Sequence, residues 1–118
     1  MIVRGAPLAM LAVLLLTAMP AWADDTYQLH AVLSLTGSGA FLGQEEQQAM
    51  QLAEGVINRS GGIHGRPVHF VFHDDQSSPQ VAVQLTAPLA GSGVPLIVGS
   101  SLVASCNAMA GLVRNGLF

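Results

Sequence analysis

Three times in succession a short apolar run gives way to a break marked by glycine or serine. Each break is followed by apolar residues spaced three and four apart. The compact runs suit buried strands, and the wider spacing suits helices with one apolar face. Strand–helix alternation of this kind folds as a parallel sheet with right-handed crossovers and helices on both faces. The expected fold class is therefore α/β, a three-layer αβα parallel sheet. The chain reaches Asn115-Gly116-Leu117-Phe118 where a fourth strand is due, so the sheet is expected to be incomplete.

The pattern predicts a strand over Tyr27–Leu35, broken by Thr36-Gly37-Ser38-Gly39, and a helix from about Phe41 to Arg59. Leu42, Ala49, Met50, Ala53, Val56 and Ile57 give that helix its apolar stripe. Glu45 and Glu46 fall in its early turns, where the macrodipole favours negative charge. Ser60-Gly61-Gly62 ends it. A second strand follows over Val68–Phe72. Ser78 is the N-cap of the next helix and Pro79 its first residue, with Pro88 expected to shorten or kink it. A third strand over Val94–Val98 and a helix over Ala104–Arg114 complete the series.

The first two dozen residues are of another kind. Arg4 precedes an uncharged stretch from Ala6 to Met19, and Ala21-Trp22-Ala23 has the small-x-small form read by signal peptidase. The apolar part is shorter than the ~20 residues of a comfortable membrane span, so residues 1–23 are expected to be a signal peptide. Cleavage would leave 95 residues with three Arg, no Lys and seven acidic side chains, a formal charge of −4 and one domain at most. An acidic chain with scattered Arg has no electrostatic footprint for nucleic acid or an anionic membrane. The single Cys, Cys106, lies far from the cleavage site, so no lipid anchor is expected.

Gly37-x-Gly39-x-x-x-Gly43 follows a strand and opens a helix, which raises a phosphate- or nucleotide-binding loop. Its third glycine comes one position late, and no acid stands ~20 residues on. No cofactor is expected. His64, His69, His73, Asp74 and Asp75 are possible metal ligands. On one strand, however, His69 and His73 would stand about 13 Å apart, too far to share an ion. Asp74 and Asp75, at a strand end before Ser78-Pro79, suit a turn that supports the next helix. No Gly-x-Ser-x-Gly elbow is present, and no enzyme activity is expected. Ser100 and Ser101 follow the third strand at the edge where open α/β sheets take ligands. Carboxylate binding and plain helix capping both fit them.

Gly61-Gly62-Ile63-His64-Gly65-Arg66-Pro67-Val68, preceded by Ile57-Asn58, resembles the Asn-x-x-Gly-Gly-Ile-x-Gly-Arg segment of type I periplasmic binding proteins. The nearest branch is that of the leucine/isoleucine/valine-binding proteins of ABC importers. Asp74–Ala82, Leu35-Thr36-Gly37 with Gly43 and Gln44, and Leu96–Ser100 are similar to its further blocks, in order over residues 27–116. The resemblance implies a Rossmann-like lobe, of which residues 24–118 form the first part. It also implies a periplasmic receptor whose two lobes close on an amino acid or related amide or carboxylate and present it to a membrane permease. By the same resemblance Leu42 takes a place often held by an aromatic wall, and Ser100, Ser101 and Ser105 span the ligand-facing loop. The Gly99–Gly116 spacing is one residue shorter than the family's. The rival readings are an exported α/β enzyme using the Gly37–Gly43 loop, and a gene remnant without function.

The Ala21-x-Ala23 pattern followed by two acids predicts cleavage between Ala23 and Asp24. Intact-mass measurement of exported product should show Asp24 as the first residue; a retained Met1 removes the export reading.

Overall fold

A computed structural model describes residues 26–113; the expected signal peptide, its Ala23–Asp24 junction and residues 114–118 lie outside the described residues. The elements are β1 (Tyr27–Leu33), α1 (Ala40–Arg59), β2 (Val68–Asp74), α2 (Pro79–Gly91), β3 (Ile97–Gly99) and α3 (Val103–Val113). The three strands form one parallel sheet in the order β2-β1-β3. This is the α/β architecture expected from the alternation.

Central position explains the composition of β1. Ala31, Val32 and Leu33 are all but inaccessible to solvent, as a strand covered on both faces requires. Strand alternation turns Val32 to one face, where it meets Ala82 of α2 and Met109 of α3, with Leu85, Leu89 and Ile97 packed around them. Ala31 and Leu33 turn to the opposite face, where α1 packs on β1 and β2. The apolar stripe expected on α1 is not buried as such. Leu42, Ala49, Ala53 and Val56 stay exposed and Gly43 is the buried residue of this helix, because α1 lies over the margin of the sheet.

From that margin α1 serves the sheet with polar side chains. Asn58 accepts the Val68 amide at 2.8 Å and donates to the Val68 carbonyl at 2.8 Å. Glu54, one turn earlier, accepts the Phe70 amide at 2.7 Å. These side chains take the place of a fourth strand along the outer edge of β2, which would otherwise present unpaired backbone groups. The Gly61–Arg66 turn then folds back, with Gly62 donating to the Ile57 carbonyl and the Arg66 guanidinium lying 3.7 Å from the centre of the Tyr27 ring.

Element limits depart from the sequence expectation where backbone groups find other partners. β1 ends at Leu33 instead of Leu35, since the Leu35 amide turns to the Asp74 carboxylate. β2 extends past Phe72 because His73 and Asp74 pair with Val32 and Leu33. β3 starts at Ile97 instead of Val94: the Val94 amide closes the end of α2 on the Leu89 carbonyl, and Pro95 has no amide to give. Pro88 does not end α2, which continues to Gly91. Pro88 and Gln84 are both exposed, so the Gln84 carbonyl that loses its helical partner faces water.

Asn58→Ala should leave both polar groups of the buried Val68 backbone unpaired. The expected cost is about 2 kcal/mol in denaturant unfolding, with faster amide exchange at Val68. An unchanged midpoint would show that water replaces Asn58 without loss.

Candidate functional site at the carboxyl edge of the sheet

The loops leaving β1, β2 and β3 meet at the carboxyl ends of the strands. Because β1 lies between β2 and β3, the loops after β1 and β3 depart toward opposite faces. A crevice opens at such a switch point, where open α/β sheets take ligands. Two adjacent aspartates of the β2 exit organise it.

Asp75 is fully buried. Its Oδ1 accepts the Ser34 hydroxyl at 2.7 Å and the Ser77 amide at 2.8 Å, and its Oδ2 accepts the Ser100 hydroxyl at 2.6 Å. One carboxylate thus joins the ends of all three strands. Asp74 binds the first loop: Oδ1 accepts the amides of Leu35, Thr36 and Gln76, and Oδ2 accepts the Thr36 hydroxyl at 2.7 Å. Partial burial alone would raise its pKa. The hydrogen bonds from the Thr36 hydroxyl and from the Gln76, Thr36 and Leu35 amides outweigh burial and hold it below the ordinary aspartate value. To aim these amides, Gln76 and Ser77 adopt φ of 55° and 59°, a left-handed conformation uncommon outside glycine. Aspartates ordering a turn before α2 is what their position in the sequence indicated.

The same bonds decide how the glycine-rich loop can be used. The Leu35 and Thr36 amides are committed to Asp74, and the Gly39 amide donates to the Ser77 hydroxyl oxygen at 2.9 Å. A phosphate entering here would meet a resident carboxylate in place of open donors. Gly43 has another role: a Cβ at this position would overlap the Ser34 carbonyl, so glycine lets α1 start against the end of β1.

Across the crevice, the Ser101 hydroxyl donates to Glu46 Oε2 at 2.6 Å and accepts the Ser34 amide at 3.2 Å. Glu46 therefore reaches from α1 to the β3–α3 loop, and the Leu102 side chain lies against Gly39. Among the described residues, Glu46 Oε1 has no bonded partner. The first turn of α3 holds no acidic residue, and its helical bonding starts with the Cys106 amide on Leu102. The amides of Val103, Ala104 and Ser105 are those that helix geometry leaves without an intrahelical acceptor. Phe41, Leu42 and Val103 are exposed apolar side chains on the first turns of α1 and α3, 75%, 50% and 77% accessible.

Of the residues singled out from the sequence, Ser100 and Ser101 stand at the crevice with their hydroxyls bonded to Asp75 and Glu46. Leu42 stands on the first turn of α1. Ser105 is fully buried on the same helical face as Met109, and its hydroxyl has no partner among the described residues. The possible metal ligands disperse: His69 lies 3.3 Å from Glu54, and His73 contacts His30. No group of three or more His, Cys, Asp or Glu among the described residues is placed to hold a metal ion. Ser34 and Glu46 were missed as site residues, because their importance depends on the approach of α1 to the β3–α3 loop and no local spacing encodes that.

Asp75→Ala should strand the Ser34 and Ser100 hydroxyls and the Ser77 amide, at a cost of at least about 3 kcal/mol read from a denaturant midpoint. Asp74 gives a separate signature. Its folded-state pKa lies below its unfolded value, so its contribution is present above the ordinary 3.8 and is lost as the pH falls through the folded value. The amide resonances of Leu35, Thr36 and Gln76 should shift together with a midpoint below 3.8; separate midpoints would contradict a shared carboxylate.

Comparison with known proteins places this architecture. A family model described as periplasmic binding protein matches residues 27–116. A Leu/Ile/Val-binding protein homolog 3 of Brucella melitensis is 34% identical over 82 residues, covering 70% of this chain and 22% of that protein. The branched-chain amino acid transporter substrate-binding protein LivJ of Streptococcus pneumoniae, in complex with isoleucine, superimposes with a TM-score of 0.70 at 30% identity, covering 76% of this chain and 26% of that one. A fatty acid ABC transporter substrate-binding protein of Thermomonospora curvata gives a TM-score of 0.66 at 27% identity, covering 78% and 23%. The chain thus spans about a quarter of the length of these relatives.

Proposed function

The chain belongs to the periplasmic binding protein family, and on that premise we propose that it forms part of an extracytoplasmic receptor for a small amino acid of branched-chain type, or a related amide or carboxylate. In this reading the receptor acts in the periplasm, catalyses nothing, and hands its ligand to the permease of an ABC importer. Residues 24–118 supply the first part of one of its two lobes.

The observation that carries the reading is the pairing of unlike ends across one crevice. The uncharged first turn of α3 offers amides to a carboxylate, and Glu46 offers a carboxylate to an ammonium. An α-amino acid carries both groups on one carbon. Its side chain would meet the apolar rim of Phe41, Leu42 and Val103, which suits an aliphatic group. Ser101 holds Glu46 in place and offers its hydroxyl oxygen. Ser100, tied to Asp75, keeps the loop in register, and Ser105 contributes its backbone amide while its side chain packs inward. The Leu/Ile/Val-binding relative and the isoleucine-bound structure support the amino-acid class.

The test is an NMR titration of the isotope-labelled chain with isoleucine, isoleucinamide and 3-methylpentanoic acid. Isoleucine should shift the amides of Val103, Ala104 and Ser105. Ser101→Ala should weaken it by roughly ten- to a hundredfold, the worth of a hydrogen bond to a charged group. Glu46→Gln should weaken isoleucine and leave 3-methylpentanoic acid unchanged, since that acid has no ammonium. Shifts scattered away from the crevice, or an equal response of both ligands to Glu46→Gln, would defeat the assignment.

A further inference from the structure

Away from the crevice, His30 of β1 and His73 of β2 occupy diagonal positions on the sheet face that α2 and α3 cover, His30 opposite Val71 and His73 opposite Val32. His30 Nδ1 and His73 Nε2 are 3.0 Å apart. The ring centres are 5.3 Å apart and the planes 22° from parallel. That centre-to-centre distance is as large as the nitrogen separation permits, so both nitrogens lie on the line joining the rings. The imidazoles therefore meet edge to edge and share a proton along that line. A metal chelate needs something else, two lone pairs converging on a third point.

Among the described residues, the surroundings offer this pair no counter-charge. From Pro79 to Val113, the span of α2 and α3, there is no Asp, Glu, Lys, Arg or His. On the same sheet face stand His69, held to Glu54 around the strand edge, and Asp75 just beyond the end of β2, committed to Ser34, Ser77 and Ser100. On the opposite face Asp74 is engaged with the first loop, and in α1 Glu46 holds Ser101. The remaining charges of α1 and its turn are Glu45 and Arg59 on α1 and Arg66 on the Tyr27 ring.

We propose that the His30–His73 pair is a proton-operated latch between β1 and β2, shut while the two rings share one proton and opened when both are protonated. A neutral pair, or one carrying a single extra proton, keeps an N–H facing a lone pair. A doubly protonated pair has two donors and two positive charges at contact distance. His73 is followed directly by Asp74 and Asp75, so parting the strands here loosens the loops that those carboxylates hold. Burial first, and the charge of His30 second, keep the His73 pKa below its usual 6.5. The unfolded chain then binds more protons than the folded one as the pH drops, and the latch's stabilisation, complete above 6.5, is lost as the pH falls through the folded value. The device rests on no ligand.

The experiment is a pH titration of the full chain by imidazole ¹⁵N NMR, with melting curves and amide exchange at pH 7.5 and pH 5. His30→Gln is the comparison variant, since Gln keeps a hydrogen-bonding group and takes no proton. The two rings should titrate as a coupled pair in two macroscopic steps. In His30→Gln the His73 midpoint should rise. Exchange at Asp74 and Asp75, relative to intrinsic rates, should increase about tenfold or more between pH 7.5 and pH 5 in the parent and much less in the variant. A His73 midpoint indifferent to His30→Gln, or equal acid sensitivity of the two proteins, overturns the proposal. If the variant fails to fold, the parent spectrum decides: two independent single-step titrations reject the latch, and a shared two-step pattern upholds it.

Discussion

A carboxylate with no access to water is costly unless every oxygen is answered, and Asp75 is answered from all three strand exits. Ser34 comes from the end of β1, Ser77 from the turn into α2, and Ser100 from the end of β3. Each donor lies outside the strand ladder: Ser34 borders a glycine-rich loop, Ser77 has a left-handed backbone, and Ser100 follows a strand of three residues. The carboxyl edge is thus built inward from a charge, with Asp74 holding the first loop and Glu46 bridging to Ser101.

The rest of the sheet follows a similar division between polar brackets and apolar cover. α1 approaches the sheet through Gly43 at one end and through Glu54 and Asn58 at the other, and its apolar side chains remain largely exposed. α2 and α3 cover the opposite face without a charged residue, so Val32, Ala82 and Met109 pack in a neutral layer. That neutrality favours burial of methyl groups, and neither helix brings a counter-charge to the half-buried histidines on the same sheet face.

Local chemistry made much of this legible in the sequence. Ser78 and Pro79 start α2 as read, with the Ser78 hydroxyl accepting the Val81 amide, because an N-cap is decided within four residues. The Asp74-Asp75 pair could be placed at a turn for the same reason. Errors came where distant segments compete for a backbone group: Leu35 left β1 for Asp74, and Val94 left β3 for the end of α2. The candidate site was read from its loop, which brought Ser100 and Ser101 to the crevice, but helical phase turned Ser105 inward. Glu46 read as a complement to the helix dipole, whereas it stands beyond the first turn and reaches across to Ser101. His30 attracted no notice, since only the register of β1 against β2 brings it to His73.

The bracket formed by Asn58 and Glu54 has a consequence for order in time. Both side chains belong to the helix that joins the two strands, so β1, α1 and β2 satisfy their outer margin from within one continuous stretch. Nothing C-terminal to Asp74 is needed for that. A chain that emerges amino end first from a narrow passage has this β–α–β unit whole before α2 exists, with the outer edge of β2 already bonded and the far edge of β1 still open for β3. Growth of the sheet is thereby confined to one side, and β3 joins there, against β1.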